Sequence, residues 1–199
     1  MGYPSGKNEC WYVVDAEENA TLGLGLVKTV SPTKLKAAAV LGEIEQLIDW
    51  KPVKKGDFFF VPAGTIHAIG PGLSIVEVQQ NADITFRIYD YGRDRELQLD
   101  DALKVAKFSD YDMANHSKVS ENESAQLVDG PSFRLFQIIG DDRTAISEIE
   151  SSEWQILPIS GKVKVRDKQI KAGECGICPH SSDIDLSQNE RALLACAMK

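Results

Sequence analysis

Positive charge is scarce in this chain. Its 199 residues carry 22 Lys and Arg against 30 Asp and Glu, a net charge of −8. A nucleic-acid binder shows a basic stripe, so this balance argues against that class. An acidic protein that handles a phosphorylated ligand must gather its few cations locally. Long apolar runs are lacking too: none approaches the ~20 residues of a membrane span, and no secretory signal opens the chain. The four cysteines are unevenly spaced, which suits a reducing cytoplasm better than a disulfide scaffold. There are only three histidines. What is abundant is ordinary: 43% hydrophobic and 26% charged residues fit a globular protein of one sizeable domain or two small ones.

The most informative stretch runs from Lys54 to Tyr91. Within it Gly56, Pro62, Gly64 and His67 stand in the frame G-x5-P-x-G-x2-H. Gly56 follows a lysine pair in a turn that favours positive φ. Phe58 to Val61 is a short β-prone run, and Pro62, which cannot donate to a ladder, ends it. Ala63-Gly64 turns the chain and His67 opens the next strand. Such a frame delivers one imidazole to the inside of a small β-barrel, a good place for a metal ligand.

Taken in order, Gly2 to Gly6 is turn-like and Cys10 to Val14 reads as a strand, with Trp11 and Val13 opposite Cys10 and Tyr12. Thr21 to Val30 is a second strand. Ser31-Pro32 is an N-cap with Pro at the first helical position, so Lys34 to Leu41 is a short helix, stopped by Gly42. Glu43 to Ile48 is a further helical turn. Three or four strands occupy Val53 to Tyr91. A strand is expected at Arg95 to Leu99 and a helix at Asp100 to Lys107. Ser109 to Glu123 is polar and lacks periodicity, as a linker would. Strands are then expected at Ser132 to Gly140, Ala145 to Glu150, Trp154 to Ile159, Lys162 to Arg166, Cys175 to Cys178 and Ala192 to Ala197. One common shift lays Gly173 on Gly56 and Pro179 on Pro62, but Ser181 on Gly64 and Ile184 on His67. This suggests a duplicated barrel whose second copy has lost its metal ligand.

The frame is similar to the second cupin motif, with Pro71 where that motif usually ends in Asn. Longer words are more specific. Gly6 to Tyr12 (GKNECWY), Lys55-Gly56-Asp57, Pro62 to Ile69 (PAGTIHAI), Glu77 to Gln80 (EVQQ) and Thr85 to Tyr91 (TFRIYDY) stand in the order found in the short bacterial type of class I mannose-6-phosphate isomerase. The chain thus resembles that family, densely over residues 6 to 107 and by pattern beyond. The resemblance implies a mostly β double cupin, two β-barrel or jelly-roll halves with a few short helices. The expected division is a first, metal-bearing cupin over 1–108, a linker over 109–130 and a second, degenerate cupin over 131–199. It also implies one Zn²⁺ ion with Glu9 and His67 among its ligands, although Glu and His also suit other divalent metals. The implied reaction interconverts mannose 6-phosphate and fructose 6-phosphate through an enediol, with Arg87 and Lys7 facing the same cavity. The family's Q-x-H strand, which supplies a Gln and a second His, lies upstream of the G-K-x-E word, and no Gln of this chain sits in a Q-x-H. The favoured reading is a shortened version of a longer protein, the other a relic without activity. Missing strands would leave an open edge on the first cupin, and hence an exposed patch or a homo-oligomer contact.

Each assignment has a plainer rival. His67 is set against a hydrogen-bonded barrel histidine, and Glu9 against a surface carboxylate. Arg87 is set against a structural bridge to Glu77 or Asp90. Gln79 and Gln80 suit the satisfaction of backbone groups at a strand end, with one of them able to face the pocket. Asp57 suits a turn cap. Cys175 and Cys178 form a C-x-x-C, but there is no second such pair, and both read as buried, inert thiols. His116 and His180 have no partner in sequence. The expected function is a zinc-dependent sugar-phosphate isomerase in the cytoplasm, acting on a phosphorylated hexose with no nucleic acid or membrane partner. The alternative is a sugar-binding or regulatory cupin without catalysis.

Overall fold

The computed structural model describes residues 6–151 and 153–198. The turn expected at Gly2–Gly6 therefore lies, but for Gly6, outside the described residues. The chain divides into two compact units, Met1–Lys118 and Val119–Lys199.

The first unit contains β1 (Glu9–Ala16), β2 (Thr21–Leu26), α1 (Pro32–Leu41), β3 (Ile48–Pro52), β4 (Asp57–Val61), β5 (His67–Ile69), β6 (Leu73–Gln79), α2 (Leu99–Val105) and β7 (His116–Lys118). One sheet runs β6-β1-β4-β7, the other β3-β2-β5. Strand periodicity sends Trp11 and Val13 of β1 to the same side, where they meet Leu22, Leu24, Phe59 and Val61. Helix α1 starts as its sequence dictates: the Ser31 hydroxyl accepts the Lys34 amide at 3.2 Å, and Gly42 closes the helix at φ 75°. Its Leu35 packs with Leu26, Ile44, Ile48 and Ile66 in a second core.

The second unit contains β8 (Ala125–Asp129), β9 (Phe133–Ile139), β10 (Trp154–Val165), β11 (Lys168–Lys171), β12 (Gly176–Cys178), β13 (Ile184–Asp185) and β14 (Asn189–Ala197). Its sheet runs β11-β10-β14-β9-β8, with β12 and β13 also paired to β10. The two units repeat one register. In the first, β1 meets β4 with Glu9 opposite Val61 and Trp11 opposite Phe59. In the second, β10 meets β12 with Trp154 opposite Cys178 and Ile156 opposite Gly176. The shift that lays Gly173 on Gly56 also lays Cys178 on Val61 and Gly176 on Phe59. The Gly56 amide donates to the Val13 carbonyl at 2.8 Å, and the Gly173 amide to the equivalent Pro158 carbonyl at 3.0 Å. Both glycines have positive φ, 84° and 81°. In the second unit, Trp154 takes the place of Glu9 and Ile184 that of His67, and both are buried in one apolar cluster.

Several local expectations are corrected. No strand forms at Arg95–Leu99. The strand expected at Ala145–Glu150 is a short 3₁₀ turn, Thr144–Ile146, because the Asp142 carboxylate captures the Thr144 amide at 3.1 Å and its hydroxyl at 2.6 Å. Trp154–Ile159 and Lys162–Arg166 are one strand, in which Gly161 forms an irregularity and not a turn. The second strand stops at Leu26, after Gly25 takes φ 69°. The stretch 109–130, expected as a linker, carries β7 and β8. Tyr111 within it is a core residue, and its hydroxyl donates to the Phe60 carbonyl at 2.8 Å. Cys178 is buried as expected, but Cys175 is exposed, and both thiols are free.

Gly64 is the tightest point of the turn that leads into β5. Its φ is 83°, and a Cβ there would stand 2.6 Å from the Val105 carbonyl oxygen, where α2 ends. Gly92 has a similar φ of 72° with open space around it. We therefore expect Gly92→Ala to cost about 1 kcal/mol and Gly64→Ala about 3 kcal/mol, read from paired denaturant titrations; equal losses would show that the carbonyl contact is unimportant.

Candidate functional site

Glu9 opens β1 and is 2% exposed. Its place on the strand is set by period two: Lys7, Glu9, Trp11 and Val13 share a side, and the last two of these form the core wall. His67 opens β5 after the Gly64 turn. The two side chains converge, with His67 Nε2 3.3 Å from Glu9 Oε1. On the other carboxylate oxygen, Lys7 Nζ stands 2.9 Å from Glu9 Oε2 as an ion pair. That oxygen is buried and accepts no hydrogen bond.

His67 is oriented by its own turn. Its Nδ1 lies 2.8 Å from the Thr65 carbonyl oxygen. A carbonyl only accepts, so in the neutral ring Nδ1 carries the proton and Nε2 presents a lone pair toward Glu9. The Trp11 ring meets the imidazole edge-on, with centroids 5.1 Å apart and planes at 84°. One ring nitrogen is thus tied to the backbone, and the other faces the Glu9 carboxylate.

Lys7 is gripped from a third strand. Register places Glu9 opposite Gln79 and Trp11 opposite Glu77 on β6. The ammonium donates to Gln79 Oε1 and lies 3.8 Å from Glu77 Oε1. Gln80 instead accepts the Asn8 amide at 2.7 Å. Gln80 thus satisfies a backbone group as expected, whereas Gln79 is spent on Lys7, and neither Gln lines the cavity. Asp57 caps a turn as expected, accepting the Lys54 amide at 2.6 Å. It also faces Lys118 at 3.2 Å and His116 at 3.4 Å. His116 stacks on Phe59 at 4.6 Å, so it has a structural role away from the site.

Lys7, Glu9, His67 and Arg87 all line one cavity of about 610 Å³, walled further by Phe86 and Tyr89. Arg87 makes neither of its expected bridges. Asp90 is clasped by Arg95, whose guanidinium holds that carboxyl below its ordinary value, and Glu77 is turned to Lys7. Arg87 donates through one terminal nitrogen to the Glu96 carbonyl at 3.1 Å. The sequence reading missed the roles of Thr65 and the aromatic walls, and it set Glu77 against Arg87 instead of beside Lys7. The signal for Glu77 was its strand alternation with Gln79, which acquires meaning only once β6 is paired with β1. Among the described residues no three His, Cys, Asp or Glu side chains gather as a metal cluster.

A double cupin whose first barrel brings an exposed imidazole to a buried carboxylate is what these observations define. No family profile matches the chain. It is 37% identical over 169 residues to the mannose-6-phosphate isomerase of Streptococcus mutans, a match covering 81% of this chain and 47% of that protein. The crystal structure of mannose 6-phosphate isomerase from Bacillus subtilis superimposes with a TM-score of 0.71 at 29% identity, over 96% of this chain and 64% of that one. A mannose 6-phosphate isomerase structure bound with zinc and yttrium shares the fold, with a TM-score of 0.62 at 10% identity over 97% of this chain and 67% of that one. Over the part that aligns, the chain is thus similar to mannose-6-phosphate isomerases in sequence and in fold, and it spans about half the length of the curated relatives it matches.

A buried carboxylate left without a cation is costly. We expect Lys7→Met to lower stability by about 3 kcal/mol, and the Lys7→Met, Glu9→Gln double variant to lose markedly less. Added Zn²⁺ should restore the single variant's melting temperature and not the double variant's. Equal losses in both would show that Lys7 does not neutralise Glu9.

Proposed function

We propose that the protein is a metal-dependent aldose–ketose isomerase acting on mannose 6-phosphate and fructose 6-phosphate. The observation that supports this best is the meeting of Glu9 and His67, from two different sheets, at one cavity that also takes Lys7 and Arg87. The donor set suits a divalent cation: Glu9 Oε1 and His67 Nε2 stand 3.3 Å apart, and the imidazole is oriented through Nδ1 by the Thr65 carbonyl. Zinc is the ion we infer; Glu9 and His67 would hold it, and it would supply Lewis-acid stabilisation of negative charge on substrate oxygens.

The chain's own residues account for the rest. Conversion moves a proton from C2 to C1 and one from O2 to O1, so charge builds on the sugar oxygens midway. Lys7 stands beside Glu9 with its ammonium in the cavity, where it stabilises that charge. Arg87 keeps most of its guanidinium donors unused, and a guanidinium receives phosphate in a fork. The aromatic and aliphatic walls exclude water from the sugar carbons. The reading includes a cytoplasmic setting, consistent with four free cysteines. Among the described residues no helix is long and apolar enough to cross a membrane.

A second reading, a sugar-binding cupin without turnover, draws on Lys7, which already neutralises Glu9 without a metal. A coupled assay of fructose 6-phosphate formation with Zn²⁺ separates the two. We expect turnover that chelation abolishes. Glu9→Gln and His67→Ala should each lower kcat/KM at least ~100-fold, and Arg87→Ala should raise KM ~10-fold or more. A flat trace accompanied by calorimetric binding of the sugar phosphate would replace the isomerase with the binding module.

A further inference from the structure

Arg87 begins a loop that closes on itself at Gln98. The Gln98 amide donates to the Arg87 carbonyl at 2.9 Å, and Gln98 Oε1 accepts the Arg87 amide at 3.0 Å. The Glu96 carbonyl takes two further bonds, from the Arg87 guanidinium at 3.1 Å and from Gln98 Nε2 at 3.2 Å. Gln98 occupies the N-cap of α2, where a side-chain oxygen normally caps the helix. It makes no such bond and gives that oxygen to Arg87. Backbone and side chain of Arg87 are thus both fixed from the far end of the loop.

That far end has little apolar support. The near limb is anchored by Ile88 and Tyr89, which pack on the second core. Residues 91–97 are exposed throughout, so burial does not hold them. The tip is also strained. Tyr91 and Gly92 take φ 53° and 72°, and the Arg93 amide closes the turn on the Asp90 carbonyl at 3.0 Å. Such a turn suits Asn or Gly at its first inner position, and a tyrosine there persists only where the surroundings enforce it.

What enforces it is one carboxylate. Asp90 is 6% exposed. Both its oxygens accept from the Arg95 guanidinium, and Arg93 Nε stands 3.9 Å away. A two-bond fork between carboxylate and guanidinium fixes direction as well as distance. It joins residue 90 to residue 95, and the carbonyl that orients Arg87 belongs to the next residue. Three arginines, Arg87, Arg93 and Arg95, fall in this short stretch of an otherwise acidic chain. All three act on Asp90, so the carboxylate also offsets their mutual repulsion.

We propose that the Asp90–Arg95 pair positions Arg87 for the substrate phosphate, by clamping the loop whose Glu96 carbonyl and Gln98 amide group hold that arginine. The inference rests on the phosphate role given to Arg87 above and names what sets it. Asp90, Arg95 and Gln98 do not line the cavity; they are positioning residues that act through Arg87. Without the clamp Arg87 keeps its charge but loses its direction, and ordering it on binding costs affinity.

Calorimetric titration of the chain with fructose 6-phosphate tests this, because affinity is read whether or not the sugar is turned over. Asp90→Asn and Arg95→Met should each weaken binding ~5-fold or more, within the loss that Arg87→Ala brings. Arg95→Lys, which keeps the charge, should recover part of that loss. In an Arg87→Ala background Arg95→Met should cost less than ~2-fold further; fully additive losses would make the pair merely structural and overturn the proposal. Arg95 is exposed, so its variants spare the core. Without ligand, the amides of Arg87 and Gln98 should exchange at least tenfold faster in Arg95→Met, while those of β1 and β4 stay as in the wild type. Unchanged exchange or unchanged affinity overturns the clamp and leaves the Arg87 reading standing. A wild-type chain that binds no sugar phosphate overturns the Arg87 reading and this inference with it, an outcome told apart by the wild-type trace alone.

Discussion

A carboxylate that is 2% exposed has to meet positive charge, and the first unit is arranged around that requirement at Glu9. Lys7 supplies a full charge from two residues upstream on the same side of the chain. β6 steadies Lys7 with Gln79 and Glu77. The Gly64 turn brings His67 to the other oxygen, and Gly64 in turn is pressed against the end of α2. Sheet register, a strained glycine and a short helix thus serve one buried ion. In the proposed function Glu9 would exchange the Lys7 ammonium for a metal, and the binding-module reading is the case in which the ammonium stays.

The second unit is an internal control for that dependence. It keeps the strand register, the positive-φ glycine and its amide bond to the neighbouring strand. It replaces the carboxylate by Trp154 and the imidazole by Ile184, and Phe136 stands 6.1 Å from the Trp154 ring. The fold therefore does not need the site. An apolar plug is the more stable filling for a barrel of this kind, because no charge has to be desolvated. The polar set in the first unit is retained at a stability cost, which is the usual mark of function.

Legibility in the sequence followed the range of the forces involved. Ser31-Pro32 and Gly42 define α1 because capping is decided within four residues, and it read correctly. The G-x5-P-x-G-x2-H frame is likewise local, and the turn it describes is present. The grip on Lys7 was not readable, since it depends on which residues of β6 fall opposite β1. Tyr111 looked like part of a polar linker because one aromatic in a hydrophilic stretch carries no periodicity, yet it fills the first core. Ala145–Glu150 had the composition of a strand but lost to a neighbouring carboxylate that captured its first amide. The pairing of Glu9 with His67 was suggested by family resemblance and not by pattern, because no local rule relates two strands from different sheets.

The edge-on contact between Trp11 and His67 has a consequence of its own. The indole is buried, and among the described residues its nitrogen has no hydrogen-bond partner, so its emission is shielded from solvent and responds to the imidazole at its edge. An imidazole that takes up a proton or a cation draws electron density and shifts that emission. The barrel wall therefore contains its own optical gauge of occupancy at the neighbouring nitrogen, independent of any added dye or substrate.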